Sequence, residues 1–177
     1  MPSNRPGPDE VAPYYVAYIQ RADGVSLHHA LGHASAILHK TLDGVKGDKA
    51  EYRYAEGKWT IKDILQHLID CERIFAYRAL RFARQDSTEL PGFDENDYAA
   101  SSSTERRSIA DLLDEHDMVR TATEKLFESF SPDMLLRQGK ANGQNVSVRA
   151  LGWIIAGHAV HHAAVIRERY LQPHAKH

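Results

Sequence analysis

Cysteine is nearly absent. Cys71 is the only one among 177 residues, which excludes an intramolecular disulfide and a thiolate-rich zinc site and fits a reducing cytoplasm. Long apolar runs are missing too: none approaches the roughly 18 residues needed to span a bilayer. The opening Met1-Pro2-Ser3-Asn4-Arg5-Pro6-Gly7-Pro8 also lacks the basic-then-apolar pattern of a signal peptide. Neither sign of charge dominates, with 22 Lys plus Arg against 24 Asp plus Glu, so the field that drives non-specific nucleic-acid binding is lacking. The expectation is a cytoplasmic protein whose partners are neither nucleic acids nor membranes.

What is abundant is helical periodicity and histidine. Pro2, Pro6, Pro8 and Pro13 make the first dozen residues a poor helix former, read as an extended arm followed by a short helix over roughly 14–21. Leu27, Ala30, Leu31, Ala34, Ile37, Leu38 and Leu42 then repeat at helical spacing from Ser26, and Gly44 stops the pattern. After a loop over 44–57, Thr60 caps a second helix, with Asp63 in a weaker variant of the capping box. Its apolar face runs through Leu65, Leu68, Phe75 and Phe82 to about Ala83. A long polar crossover loop over 86–104 leads to a third helix, capped by Ser103 or Thr104, faced by Ile109, Leu112, His116 and Val119, and ended by Ser131-Pro132. Asn142-Gly143 signals a small β-hairpin, and a fourth helix runs from Ser147 to Tyr170. The fold class is all-α, a four-helix bundle over 23–172, with an N-terminal arm over 1–22 and a solvated tail over 173–177.

Of the 11 histidines, two stand out in Gly157-His158-Ala159-Val160-His161-His162. At about 100° per residue, Leu151, Ile155, His158, His162 and Val165 share an arc roughly 80° wide, so both rings point into the bundle. Two imidazoles one turn apart on an inward face need partners for their nitrogens, and one metal ion would satisfy both. His29 and His33 have the same spacing but project roughly 160° and 120° away from the Leu27-Leu31-Leu38 stripe, towards solvent. His28 and His39 fall at its margin.

A third ligand must come from another helix. His67 projects about 100° from Leu68, at the edge of the second helix's apolar face beside Cys71 and Arg78, while His116 lies on the apolar side of the third. Periodicity does not choose between them. His161 reads as a donor at the rim of a pocket. Glu72 shares a line with Leu65, Leu68 and Phe75, where an unpaired carboxylate is costly; it is expected to orient a histidine, act as a general base, or pair with Arg78, Arg81 or Arg149.

Lys58-Trp59-Thr60-Ile61-Lys62-Asp63-Ile64-Leu65-Gln66-His67-Leu68-Ile69-Asp70, together with Gly157-His158-Ala159-Val160-His161-His162, resembles the DinB-like family of damage-inducible bundle proteins, whose relatives include thiol-dependent S-transferases and isomerases of bacillithiol and mycothiol metabolism. The resemblance runs from about Leu27 to Tyr170. It implies that His67, rather than His116, joins His158 and His162 around a divalent ion, nickel or zinc, and it implies a homodimer. The segments Asp70 to Arg84 and Pro91 to Glu95 resemble a branch whose members mostly lack an assigned activity. Three neutral imidazoles leave a coordination position open, as in catalytic rather than closed sites. A water there gives a hydrolase and a small thiol substrate gives an S-transferase, with Glu72 and His161 as the candidate proton-transfer groups. A non-catalytic stress-response protein with a structural ion is the alternative, and it requires a fourth protein ligand and no cleft to the ion.

Overall fold

The computed structural model describes residues 5–172; the tail expected at 173–177 lies outside the described residues. The chain runs through α1 (Pro13–Arg21), α2 (Leu27–Leu42), α3 (Asp48–Glu51), α4 (Ile61–Ala83), α5 (Glu95–Ser101), α6 (Ile109–Glu128), α7 (Pro132–Leu136), β1 (Gln138–Ala141), β2 (Gln144–Ser147) and α8 (Val148–Val165). The long helices α2, α4, α6 and α8 form the four-helix bundle. Leu31, Leu38, Ile61, Leu65, Ile69, Leu112, Leu151 and Ile154 are fully buried at its centre. No helix among the described residues is long and apolar enough to cross a membrane.

Local chemistry sets the helix limits. Ser26 accepts from the His29 amide at 3.2 Å, and Gly44, at φ +72°, supplies the left-handed residue beyond the end of α2. Thr60 and Asp63 form a reciprocal capping box, with bonds of 3.0 and 2.9 Å. Ser147 caps α8 by accepting from the Ala150 amide at 3.1 Å. Beyond Val165 the helix loosens into a π-helical turn, Ile166–Leu171, whose Tyr170 hydroxyl donates to the Trp59 carbonyl at 2.7 Å.

Several connections differ from the sequence expectation. The loop over 44–57 contains α3, and the crossover over 86–104 contains α5, capped by Asp94. In α5 no residue is buried, so no apolar period marks it. The third long helix is capped by Ser108, which accepts from the Asp111 amide at 3.1 Å, rather than by Ser103 or Thr104. Ser103 adopts a left-handed conformation and the Thr104 hydroxyl is held by Asp63, so neither can cap. That helix also ends earlier than expected, at Glu128; Ser131-Pro132 instead starts α7, with Ser131 accepting from the Met134 amide.

The expected hairpin forms, with Gln138 paired to Ser147 and Ala141 to Gln144. Asn142 and Gly143 both have positive φ, the requirement of a type I′ turn. Leu90 bonds along the outer edge of β1, donating to the Lys140 carbonyl and accepting from the Asn142 amide, each at 2.9 Å.

Residues 5–22, expected as an arm and a short helix, pack onto the bundle. Arg5 lies 4.4 Å from the centre of the Trp153 ring, and the Glu10 carboxylate accepts from Ser147 Oγ and Arg149 Nε, both at 2.8 Å. Burial alone would raise the Glu10 pKa; the bonds from Arg149, Gly7 and Ser147 hold it at about 2 instead. α1 crosses α8 so closely that a Cβ on Gly157 would meet the Tyr18 carbonyl oxygen at 1.7 Å. Only glycine permits that approach.

Candidate metal centre

α4 contributes His67 and α8 contributes His158 and His162, and their Nε2 atoms converge. His67 Nε2 lies 3.1 Å from His158 Nε2, and His162 Nε2 lies 3.0 Å from the same atom. His158, 7% exposed, is walled by the rings of Tyr18 at 5.2 Å and Phe75 at 6.5 Å, while the tilted Trp59 ring lies 4.7 Å from that of His67. The inward arc expected for α8 accounts for two of the three rings. The third is brought in because α4 turns the edge of its apolar face towards α8.

Burial keeps all three imidazoles neutral. His67 is pulled down to about 4 by desolvation; His158 and His162 fall well below the ordinary value through burial, reinforced by the neighbouring imidazoles. Neutral rings are metal-ready, but they are poor partners for one another. A ring nitrogen carries either one proton or one in-plane lone pair, so His158 Nε2 cannot satisfy two facing nitrogens at once. Two nitrogens at about 2.0–2.1 Å from one zinc ion would stand roughly 3–3.4 Å apart, close to the His67–His158 and His158–His162 separations. The donor set therefore fits a divalent cation.

Cys71, one turn beyond His67, belongs to the same cluster and escaped the sequence reading as a site residue. Its Sγ lies 3.5 Å from His67 Nδ1 and 3.7 Å from His67 Nε2, and the candidate ligand atoms of His67, Cys71 and His158 lie within 4.8 Å of one another. Burial first, then the charge of Asp70, pushes its thiol up to about 12, so it stays protonated unless a cation displaces the proton. The signal was the HxxxC spacing on the face shared with His67.

The remaining candidates lie elsewhere. His116 is fully buried on α6, 3.9 Å from a Glu72 oxygen, and both its ring nitrogens lack a hydrogen bond. Glu72 is paired with none of the arginines expected for it. Arg120 grips it with two bonds of 2.8 Å, because Arg78 is turned to the Pro91 carbonyl, Arg81 to Asp86 and Arg149 to Glu10. Glu72 faces His158 only across a small void that His116 also lines. His161 is half-buried, its ring centre 5.2 Å from that of Tyr18 and 5.0 Å from that of His162, its pKa lowered by burial and by Arg21. His28, His29 and His39 are exposed as expected, whereas His33 is half-buried with an unpartnered Nδ1.

A cavity of about 590 Å³ opens onto the cluster and is lined by His67, Cys71, His158 and His162. Its volume falls within the range of small-molecule sites. The walls are aromatic, from Tyr15, Tyr18, Trp59, Phe75 and Phe93, with Arg78, Glu95, Asn142 and Gln144 as the polar groups. The crossover segment and the hairpin thus reach the cavity, joined by α1.

Compared with known proteins, residues 30–166 match the family model of the DinB superfamily. No match is found among curated proteins. Among solved structures the chain is similar to YfiT from Bacillus subtilis, described as a probable metal-dependent hydrolase with an unusual four-helix bundle topology. The TM-score is 0.70 at 15% identity, over 92% of this chain and 90% of that one. At that identity the likeness shows the fold. With the family model covering most of the chain and the four-helix bundle present, the chain belongs to the DinB superfamily.

Proposed function

We propose that this protein is a metal-dependent enzyme in which His67, His158 and His162 hold a divalent cation, nickel or zinc, and that its reaction is hydrolysis of a small molecule. The observation that carries the reading is the cavity of about 590 Å³ reaching all three histidines, since a purely structural ion needs no access. The likeness to YfiT, itself described as a probable metal-dependent hydrolase, favours hydrolysis over transfer to a low-molecular-weight thiol. A cation bound here acts as a Lewis acid and lowers the pKa of a water or thiol that reaches it.

The chain's own groups bind, orient and exclude water. Tyr15, Trp59, Phe75 and Phe93 present apolar walls that displace solvent from a substrate. Tyr15 and Tyr18 have phenols raised by burial, so both are protonated donors at neutral pH. Glu72 and His161 stand behind and beside His158, outside the cavity lining. Glu72 acts through the packing of α4 on α6, and His161 through its ring contacts with Tyr18 and His162. The protein works in the cytoplasm as a homodimer on this reading, with neither nucleic acid nor membrane as partner.

One observation favours a second reading, a closed structural site: Cys71 brings its sulfur within 4.8 Å of the candidate ligand atoms of His67 and His158. Cobalt substitution separates the two, because a thiolate ligand gives an intense near-ultraviolet charge-transfer band and three imidazoles do not. The open site predicts no such band, and turnover of ester or amide panels by the metal-loaded protein. His158→Ala and His162→Ala should each lose stoichiometric metal in elemental analysis; metal retained at one equivalent refutes the ligand assignment.

A further inference from the structure

Arg78 is the only Lys or Arg among the described residues lining the cavity, and it is 5% exposed. A buried charge normally has a counter-charge, because desolvating it unpaired is costly. The other buried charges here obey that rule: Glu72 has Arg120, Glu10 has Arg149 and Lys62 has Glu51. Arg78 does not. Its Nη2 donates to the Pro91 carbonyl at 2.8 Å, while its guanidinium carbon lies 5.7 Å from the centre of the Phe75 ring and 6.0 Å from that of Phe93. Among the described residues no carboxylate lies within ion-pair distance of it. Even Glu95, the one carboxylate of the lining, is exposed and falls outside that distance.

A guanidinium has five N–H donors in a fork that matches a carboxylate, and it remains charged even where burial lowers its pKa. The donors left over line a cavity that ends at the histidines. Arg78 follows His67 and Cys71 along the same edge of α4, its Cα about 16 Å further along the helix axis than that of His67. Its long side chain leans back towards the N-terminus and so towards the histidines. Among the described lining residues Arg78 is the one Lys or Arg, and its single fork pairs with a single carboxylate.

We propose that Arg78 anchors a substrate carboxylate, and that the cavity takes a monocarboxylate whose apolar body lies along Tyr15, Phe75 and Phe93 with its reacting group at the three histidines. This rests on the cavity being the substrate site, as proposed above, but it does not require the histidine assignment. The test is calorimetric titration with 4-phenylbutyrate and its uncharged amide. It is run on the protein as purified, on metal-stripped protein, on Arg78→Met and on His158→Ala, with metal content measured in each.

The acid should bind at least tenfold tighter than the amide to the first two and to His158→Ala, and equally to Arg78→Met. Equal binding to the wild-type protein, or no binding of either probe, overturns the proposal. So does a preference that survives in Arg78→Met, or one that disappears with the metal and so places the acid on the cation. A phosphonate analogue binding tighter than the acid overturns the carboxylate class. Should Arg78→Met fail to fold by circular dichroism, the acid-to-amide ratio of the wild-type and metal-stripped proteins decides. Metal retained in His158→Ala sinks the ligand assignment alone.

Discussion

At the scale of single residues, the bundle interior is organised by charge pairs that periodicity cannot match up. Glu72 is recognisable in the sequence as a carboxylate on an apolar line, yet its partner is Arg120, on a different helix. The nearer candidates, Arg78 and Arg81, sit on the same helix and are drawn to Pro91 and Asp86. Arg120→Met leaves the Glu72 carboxylate buried and unpaired and should destabilise the fold by about 3–5 kcal/mol in urea titration. A loss under about 1 kcal/mol would mean the pair contributes no more than a surface ion pair does. Cys71 offers a second residue-scale check. With its thiol pushed up to about 12 by burial, metal-free protein at pH 8 should resist iodoacetamide while the urea-unfolded chain reacts readily. Equal rates would contradict the burial and the shift together.

At the scale of elements, long amphipathic helices are legible and short ones are not. α2, α4 and α8 follow their apolar periods and caps, whereas α5 and α7 bury no residue and so leave no period to read. The hairpin was visible because Asn142-Gly143 fits a backbone with two positive φ angles. The docking of α1 on α8 was not visible, because what permits it is a missing side chain. Gly157→Ala places a methyl against the Tyr18 carbonyl, so α1 must move away and carry the Tyr18 ring from His158. The expected result is a loss of about 1–3 kcal/mol in thermal or chemical unfolding, accompanied by weaker metal retention. Wild-type stability with intact metal content would show that the two helices separate freely.

At the scale of the whole molecule, burial lowers the pKa of five imidazoles, those of His67, His116, His158, His161 and His162. Once unfolded, each takes up a proton near pH 6.5; in the fold each resists it until a lower pH. The unfolded state therefore binds more protons as pH drops below about 6.5, and stability must fall. Each imidazole contributes up to about 1.4 kcal/mol per pH unit until its own folded pKa is passed. Urea midpoints of metal-free protein at pH 7, 6 and 5 should decrease in that order, and a flat series would refute neutral burial. Bound metal should raise the midpoint at pH 7, since only the folded chain brings the three rings together.

The sequence by itself determined the four long helices and the inward turn of His158 and His162, because a period of 3.6 residues fixes which side chains share a face. It also marked Glu72 as a buried charge in need of a partner. The tertiary structure decided everything that depends on which faces meet: His67 and Cys71 rather than His116 beside the α8 pair, Arg120 as the partner of Glu72, α1 as a wall of the cavity, and Arg78 left without a counter-charge inside it. Those are contacts between residues far apart in the chain. No local spacing encodes them, because they arise only when edges of helical faces, ambiguous in projection, are turned towards one another by packing.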